Sequence, residues 1–102
     1  MLFPRTVYAI QHNVTKRMYI GSSAKVEERI RNHIFALRAG KHPVEDMQKD
    51  FNDYGEDYSY LMLDEIQTFD EKAKEYEWMK KCNSYNRNTG YNYKDHTAKK
   101  GA

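Results

Sequence analysis

Four residues have side chains that could act together on a phosphate ester: Tyr8, Tyr19, Arg29 and Glu75. Hydrolysis of a phosphodiester needs a base that deprotonates water, a cation near the phosphate, and an acid that holds a metal ion. A tyrosine, an arginine and one glutamate could supply these three roles. With a single convincing carboxylate, the sequence favours a one-metal site over a two-metal site.

Each of these residues also has an ordinary structural interpretation. Strand tyrosines are usually packing residues, and an arginine at the edge of an apolar stripe can extend its charged end into water. Glu75 lies on the same helical arc as Met79 and Cys82, where a carboxylate is costly unless it is paired, hydrogen-bonded or bound to a cation. It could pair with a lysine or bond to a buried hydroxyl. The joint occurrence of the four residues favours a functional site.

Two strands and a helix would position the first three of these residues. Apolar runs over 6–12 and 17–21, joined by the turn residues "NVTK", predict a β-hairpin. The second run stops at Gly21, and Ser22 or Ser23 could cap the helix that follows. Val26, Ile30, Ile34 and Leu37 are spaced as one apolar stripe of that helix, which Gly40 would end.

The second half of the chain predicts two more helices and one strand. Pro43 and Gly55 bracket a second helix with the predicted inner face Val44, Met47, Phe51 and Tyr54. The stretch "DYSYLMLDEI" over 57–66 is apolar enough to form a central strand. Thr68 and Glu71 have the spacing of a capping box for a third helix, whose inner face would be Tyr76, Met79 and Cys82.

This order predicts an α+β fold, a small antiparallel sheet covered by helices, as one domain over 1–95 with a flexible polar tail over 96–102. One cysteine among 102 residues excludes an internal disulfide and favours a reducing compartment. No stretch has the length or apolar character of a signal peptide or membrane span, so we expect a cytoplasmic protein. Zinc is not expected, because the spacing does not fit metal ligands for His12, His33, His42, His96 and Cys82.

The net charge of +2 does not require a nucleic-acid partner. Basic residues are concentrated in the first half of the chain, however, and a locally positive face is as plausible as a mixed solvated surface. The predicted DNA contacts on such a face are Lys16, Arg17, Lys25 and Arg31.

Over residues 6–93 the chain contains short motifs in the order in which a known protein family has them. They are "TVY" at 6–8, "MYIGSS" at 18–23, "ERIRNH" at 28–33, "GKH" at 40–42, "FNDYG" at 51–55, "EYEW" at 75–78 and "GYN" at 90–92. With these motifs the chain resembles the GIY-YIG nuclease domain, and in particular that of phage homing endonucleases. One departure is Thr6, which stands where the family has its first glycine.

The resemblance implies a three-stranded antiparallel sheet flanked by helices and a metal-dependent cleavage of double-stranded DNA. Tyr8 and Tyr19 would line the site, and Tyr19, or a water held between the two tyrosines, would activate the nucleophile. Arg29 would stabilise charge on the phosphate. Glu75 would hold one divalent ion, normally Mg²⁺, for which Mn²⁺ could substitute.

The resemblance also assigns roles to residues around the site. His33 and His42 would relay protons or hold phosphate, and Asn92 would support the site. Gly21 would let the backbone turn tightly beside Tyr19, where a side chain could crowd the substrate. A separate DNA-binding domain or a second copy could provide specificity. Two alternatives remain open, a non-catalytic DNA-binding module of the same fold and a protein-interaction domain.

Overall fold

The computed structural model describes residues 5–66 and 71–93, which form three strands and three helices. The elements are β1 (Arg5–His12), β2 (Met18–Ser23), α1 (Val26–Arg38), α2 (Glu45–Tyr54), β3 (Tyr58–Ile66) and α3 (Glu71–Cys82). This order confirms the predicted α+β fold. The predicted capping box and the predicted tail over 96–102 lie outside the described residues. Within those ranges no helix combines the length and the apolar character needed to cross a membrane.

The strands form one antiparallel sheet in the order β2-β1-β3. The prediction that the third strand is central was wrong, because β1 holds that place and β3 is an edge strand. Leu61 and Met62 of β3 are 40% and 56% exposed, whereas Tyr8 and Ala9 of β1 are buried on opposite faces. The long apolar run of β3 is therefore only half covered.

Helices pack on both faces of the sheet, and the alternation along β1 decides which core each residue joins. On the face covered by α1 and α2, the buried core consists of Tyr8, Ile10, Ile30, Leu37, Met47 and Tyr91. On the face covered by α3, it consists of Val7, Ala9, Ile20, Ile66 and Met79. Both cores extend to β2, the edge strand that carries Tyr19 and Gly21.

The predicted apolar stripe of α1 is confirmed, and so is its end at Gly40. Gly40 has a φ of +72°, and its N–H donates to the carbonyl of Leu37 while the Lys41 N–H donates to that of Ala36. These two bonds satisfy carbonyls that the helix end leaves open. The predicted serine cap was wrong. Ser22 and Ser23 belong to β2, because their backbones continue the pairing with β1.

The predicted inner face of α2 is confirmed except at its last residue. Met47 is fully buried, and Val44 and Phe51 pack against the same core. Tyr54 is 54% exposed, because it lies in the last turn beyond the part of the core that the helix covers, and its ring contacts the edge of His12 instead. In α3, Met79 is buried and Tyr76 and Cys82 pack around it, as predicted.

Candidate active site

Gly21 leaves the space that the Tyr8 ring occupies. The two residues face each other across the β1–β2 pair, and the Tyr8 side chain is 1% exposed. A Cβ on Gly21 would lie 2.7 Å from the Tyr8 hydroxyl oxygen and 2.8 Å from its Cζ. The predicted tight turn at Gly21 was wrong, because this glycine lies inside the extended strand β2. The missing side chain makes room for a tyrosine of the neighbouring strand.

Two tyrosines and a histidine converge beside this glycine. The ring centroids of Tyr8 and Tyr19 are 6.4 Å apart, and those of Tyr19 and His33 are 5.0 Å apart. The Tyr8 hydroxyl is 3.1 Å from Nε2 of His33. The hairpin register sets this arrangement, because Tyr8 and Tyr19 both point to the face on which α1 presents His33.

A chain of hydrogen bonds continues from His33 into the loop before α2. Nδ1 of His33 is 2.8 Å from Nε2 of His42, and the backbone N–H of Val44 donates to Nδ1 of His42 over 3.0 Å. A backbone N–H can only donate, so the proton of neutral His42 is on Nε2 and is donated to His33. Neutral His33 then carries its own proton on Nε2 and donates it to the Tyr8 hydroxyl oxygen.

Burial holds the two histidines and Tyr8 in their neutral forms at pH 7. The pKa of His33 is lowered from 6.5 to about 4, mainly by burial and then by the nearby His42 and Arg29. Burial also lowers the pKa of His42. The pKa of Tyr8 is raised well above 10, first by burial and then by Tyr19, although the Arg29 charge acts in the opposite direction.

Arg29 lies in the first turns of α1 and is exposed. Within residues 5–66 and 71–93 no carboxylate pairs with its guanidinium. Arg29 borders a concavity of about 190 Å³ that we call the histidine groove, lined by Arg29, Asn32, His33, Ala36, His42 and Pro43. A cation without a protein partner beside two neutral histidines can accept an anionic group from outside.

Glu75 reaches the same strand edge from the opposite face of the sheet. Ser22 pairs with Val7, so its side chain points toward α3, and its hydroxyl donates to Oε2 of Glu75. The Glu75 charge contributes to the raised pKa of Tyr8, so the carboxylate lies within electrostatic range of that tyrosine. One of the two sequence-based alternatives for Glu75, a bond to a buried hydroxyl, is therefore realised.

The surroundings of Glu75 fit a single hard cation. The side chain is buried, and among the described residues neither an ion pair nor a hydrogen bond engages its second oxygen, Oε1. A buried carboxylate without a cationic partner is costly, and Mg²⁺ is commonly held by one or two carboxylates together with water and substrate phosphate. In the described part of the chain no group of three or more His, Cys, Asp or Glu converges as a metal cage.

Asn92 joins the site through the backbone of β2. Its Oδ1 accepts from the Ile20 N–H over 2.7 Å, and its Nδ2 donates to the Ile20 carbonyl over 3.0 Å. The side chain is fully buried. Asn92 thus binds both backbone groups of the residue between Tyr19 and Gly21 and fixes the open edge of β2.

The residues predicted to contact DNA fall at different ends of the sheet. Lys25 immediately precedes α1 and lines a concavity with Arg29, whereas Arg31 lines a different concavity with Lys25 and Thr6. Lys16 is exposed in the hairpin loop at the other end, and its DNA contact stays a prediction. Arg17 is only 14% exposed in its side chain and is tied to Asp46 at 2.5 Å and Asp50 at 3.4 Å. This geometry gives Arg17 a scaffold role, and its DNA contact stays a prediction.

Comparisons with known proteins agree with this geometry. A sequence profile of the family described as "GIY-YIG catalytic domain" matches residues 4–92. The chain belongs to this family. It is 31% identical over 93 residues to Intron-associated endonuclease 1 of Enterobacteria phage T4, covering 89% of the chain and 37% of that protein. The chain therefore spans little more than a third of this curated relative.

This GIY-YIG domain is similar to solved structures of the catalytic domain of a homing endonuclease. The catalytic domain of homing endonuclease I-TevI matches with a TM-score of 0.77 and 28% identity, over 85% of the chain and 95% of that domain. A mutant of the catalytic domain of intron endonuclease I-TevI also has a TM-score of 0.77, with 27% identity over 87% and 93% of the two chains. The chain is thus a nuclease domain of the homing-endonuclease type.

Two contacts of this GIY-YIG domain were not predicted from the sequence. Ser22 holds Glu75, and the alternation along β2 could have indicated this, since Ser22 has the opposite parity to Tyr19 and Gly21. Gln48 accepts from the His42 N–H over 3.0 Å and donates to the Leu37 carbonyl over 3.0 Å. The helical pattern of α2 carries no signal for this bridge.

Proposed function

We propose that this GIY-YIG domain is a metal-dependent endonuclease that hydrolyses phosphodiester bonds of double-stranded DNA. The observation that carries the proposal is the convergence of Tyr8, Tyr19, His33, Arg29 and Glu75 from two faces of the sheet at the edge of β2. Each face supplies a different chemical function, with the tyrosines, histidine and arginine on one and the carboxylate on the other.

Tyr19 is the better candidate for activating the attacking water. Tyr8 is fully buried, and burial raises its pKa, so that its hydroxyl stays protonated. Because the Tyr8 oxygen accepts from His33, its own proton is directed elsewhere. Tyr19 is only partly buried, and its ring lies next to His33. We assign to Tyr8 the role of orienting Tyr19 or a water between the two rings.

The proposed hydrolytic step uses Tyr19 and Arg29 of this chain. The water oxygen forms a bond to phosphorus, one water proton passes to the Tyr19 oxygen while the Tyr19 hydroxyl releases its own proton to solvent, and the second water proton stays on the product phosphate. The bond from phosphorus to the leaving ester oxygen breaks, and that oxygen takes a proton from solvent. Arg29 stabilises the added negative charge on the five-coordinate phosphorus.

Glu75 is the residue that would hold the metal ion, with its orientation set by Ser22. When bound there, Mg²⁺ or Mn²⁺ would supply positive charge beside the phosphate and lower the pKa of a coordinated water. The uncommitted oxygen of a buried carboxylate supports this assignment. The histidine pair completes the site by donating a hydrogen bond to the Tyr8 oxygen, which holds that hydroxyl in place beside Tyr19.

The homing-type relatives suggest the context in which this domain works. Because the chain corresponds to little more than a third of the T4 phage relative, we propose that specificity comes from a separate DNA-binding region or a second copy. The single free thiol of Cys82 suits a host cytoplasm, where thiols stay reduced.

Relaxation of supercoiled plasmid by purified protein tests this proposal. We expect nicked or linear products with Mg²⁺ or Mn²⁺ and an intact plasmid with EDTA. The second candidate is the non-catalytic DNA-binding module, favoured by the cations near Arg29 that have no carboxylate partner. Salt-sensitive DNA binding by folded protein, with an intact plasmid under both metals over a wide pH range, would support that module and contradict the nuclease.

A further inference from the structure

Two grooves meet at Arg29 and Asn32 on α1. One is the histidine groove. The other is a larger concavity of about 410 Å³ that these two residues also border, together with Arg5, Ser23, Lys25 and Glu28. We call it the N-terminal groove, because it lies beside the N-terminus of α1. Since Arg29 and Asn32 border both grooves, the two form one continuous surface through the candidate active site.

The hydrogen-bond donors at this junction are uncommitted. Within the described residues, no ion pair or side-chain hydrogen bond engages the Lys25 ammonium, the Arg29 guanidinium or the Asn32 amide. Some other described cations are tied to carboxylates, as Arg17 is to Asp46 and Arg38 is to Glu56. Lys25, Arg29 and Asn32 differ from these because they are uncommitted and border one groove, where an anionic ligand can reach all three.

We propose that the N-terminal groove holds the DNA backbone that adjoins the cleaved phosphate, with Lys25 and Asn32 as its contacts. The inference rests on the proposed function, since Arg29 marks the position of the cleaved phosphate. Lys25 would neutralise one phosphate, and the Asn32 amide would donate to a phosphate oxygen between the two grooves. Glu28 lines the same groove, and its carboxylate would repel a phosphate placed close to it.

Equilibrium DNA binding in EDTA, followed by anisotropy of a labelled duplex from 50 to 200 mM salt, tests the Lys25 contact. One lost phosphate contact makes the slope of log K against log salt shallower by about 0.9. The affinity advantage of wild type over Lys25→Gln should therefore shrink about 3.5-fold across this fourfold range of salt. Lys49→Gln removes the same charge from α2, where Lys49 pairs with Asp53 at 2.5 Å, and should follow wild type.

Two substitutions of Asn32 test the second contact in opposite directions. Asn32→Ala should weaken binding about tenfold or more, the effect of one hydrogen bond to a charged acceptor, without changing the slope. Asn32→Lys should steepen the slope by about 0.9, because it adds a cation at the junction of the grooves. This gain cannot come from a loss of folding.

The outcomes separate this inference from the nuclease proposal. Equal slopes for Lys25→Gln and Lys49→Gln, or an unchanged slope for Asn32→Lys, would overturn the groove even if wild type cuts DNA with Mg²⁺. The predicted slopes together with an intact plasmid would support the groove as a DNA-binding surface and reject the nuclease.

Discussion

The space between Gly21 and Tyr8 allows a sharp test of how the site is built. In Gly21→Ala the new methyl would stand 2.7 Å from the Tyr8 hydroxyl oxygen, 2.8 Å from Cζ and 3.1 Å from Cε2 of Tyr19. Ordinary contacts are about 3.5–4.0 Å, so the Tyr8 ring has to move by about 1 Å from a fully buried position. That movement disturbs the 3.1 Å contact with His33.

Overpacking of this kind costs about 1–3 kcal/mol of the free energy of unfolding. A displacement of about 1 Å at the reacting groups lowers the rate about 10²-fold. Urea unfolding gives the first quantity, and single-turnover cleavage of supercoiled plasmid gives the second. We expect both losses in Gly21→Ala. Adding Tyr8→Phe removes the 2.7 Å contact but leaves the one to Cζ, so it should restore part of the stability and none of the rate.

Gly40→Ala is the matched control. No atom lies within 4 Å of its added Cβ, but the φ of +72° makes alanine strained there, at a cost of about 1–2 kcal/mol. Stability should therefore fall as in Gly21→Ala, whereas the rate of the folded protein should not change. If the two alanine variants cleave at the same rate, the tyrosine spacing does not control the chemistry and the reasoning fails.

Three further predictions concern the histidine pair, the scaffold and the β2 edge. The folded-state pKa of His33 is lowered from 6.5 to about 4, so folding opposes protonation of this histidine. In urea titrations, the stability of wild type relative to His33→Gln should therefore be constant above pH 6.5 and fall by about 3 kcal/mol toward pH 4. A stability difference that does not change with pH would contradict this prediction. Arg17→Gln should lose about 2–4 kcal/mol of stability, because Asp46 and Asp50 lose a partner. Its DNA binding should keep the wild-type dependence on salt, and a shallower slope of log K against log salt would show that Arg17 contacts DNA. Asn92→Ala should lose about 1–3 kcal/mol of stability for each Ile20 backbone group left without a partner, which lowers the midpoint of thermal unfolding. An unchanged midpoint would show that water replaces the amide.

Local periodicity was sufficient to predict most of the elements. The apolar stripe of α1 and the glycine that ends it are properties of neighbouring residues, and both occur as predicted. The alternation along the hairpin likewise predicts that Tyr8 and Tyr19 share a face. The position of Glu75 on an apolar helical arc correctly indicated a buried carboxylate.

Features that depend on pairing between distant segments could not be predicted in the same way. The apolar run of β3 has the composition of a central strand, but strand order depends on which edge of the hairpin remains free. The role of Gly21 depends on the register that places it opposite Tyr8. The partners of Arg17 lie on α2, about thirty residues away in the sequence, so its ion pairs could not be predicted from the basic side chain alone.

Plasmid relaxation by wild type, Glu75→Gln and Glu77→Gln, each with Mg²⁺, tests the central claim most directly. Glu75 is buried at the strand edge, whereas Glu77 is exposed on the same helix, so the two variants make the same chemical change in and outside the site. We expect wild type and Glu77→Gln to relax the plasmid at equal rates and Glu75→Gln to leave it supercoiled while remaining folded. Relaxation by Glu75→Gln at the wild-type rate would show that the reaction does not use this carboxylate, and would contradict the proposed metal site.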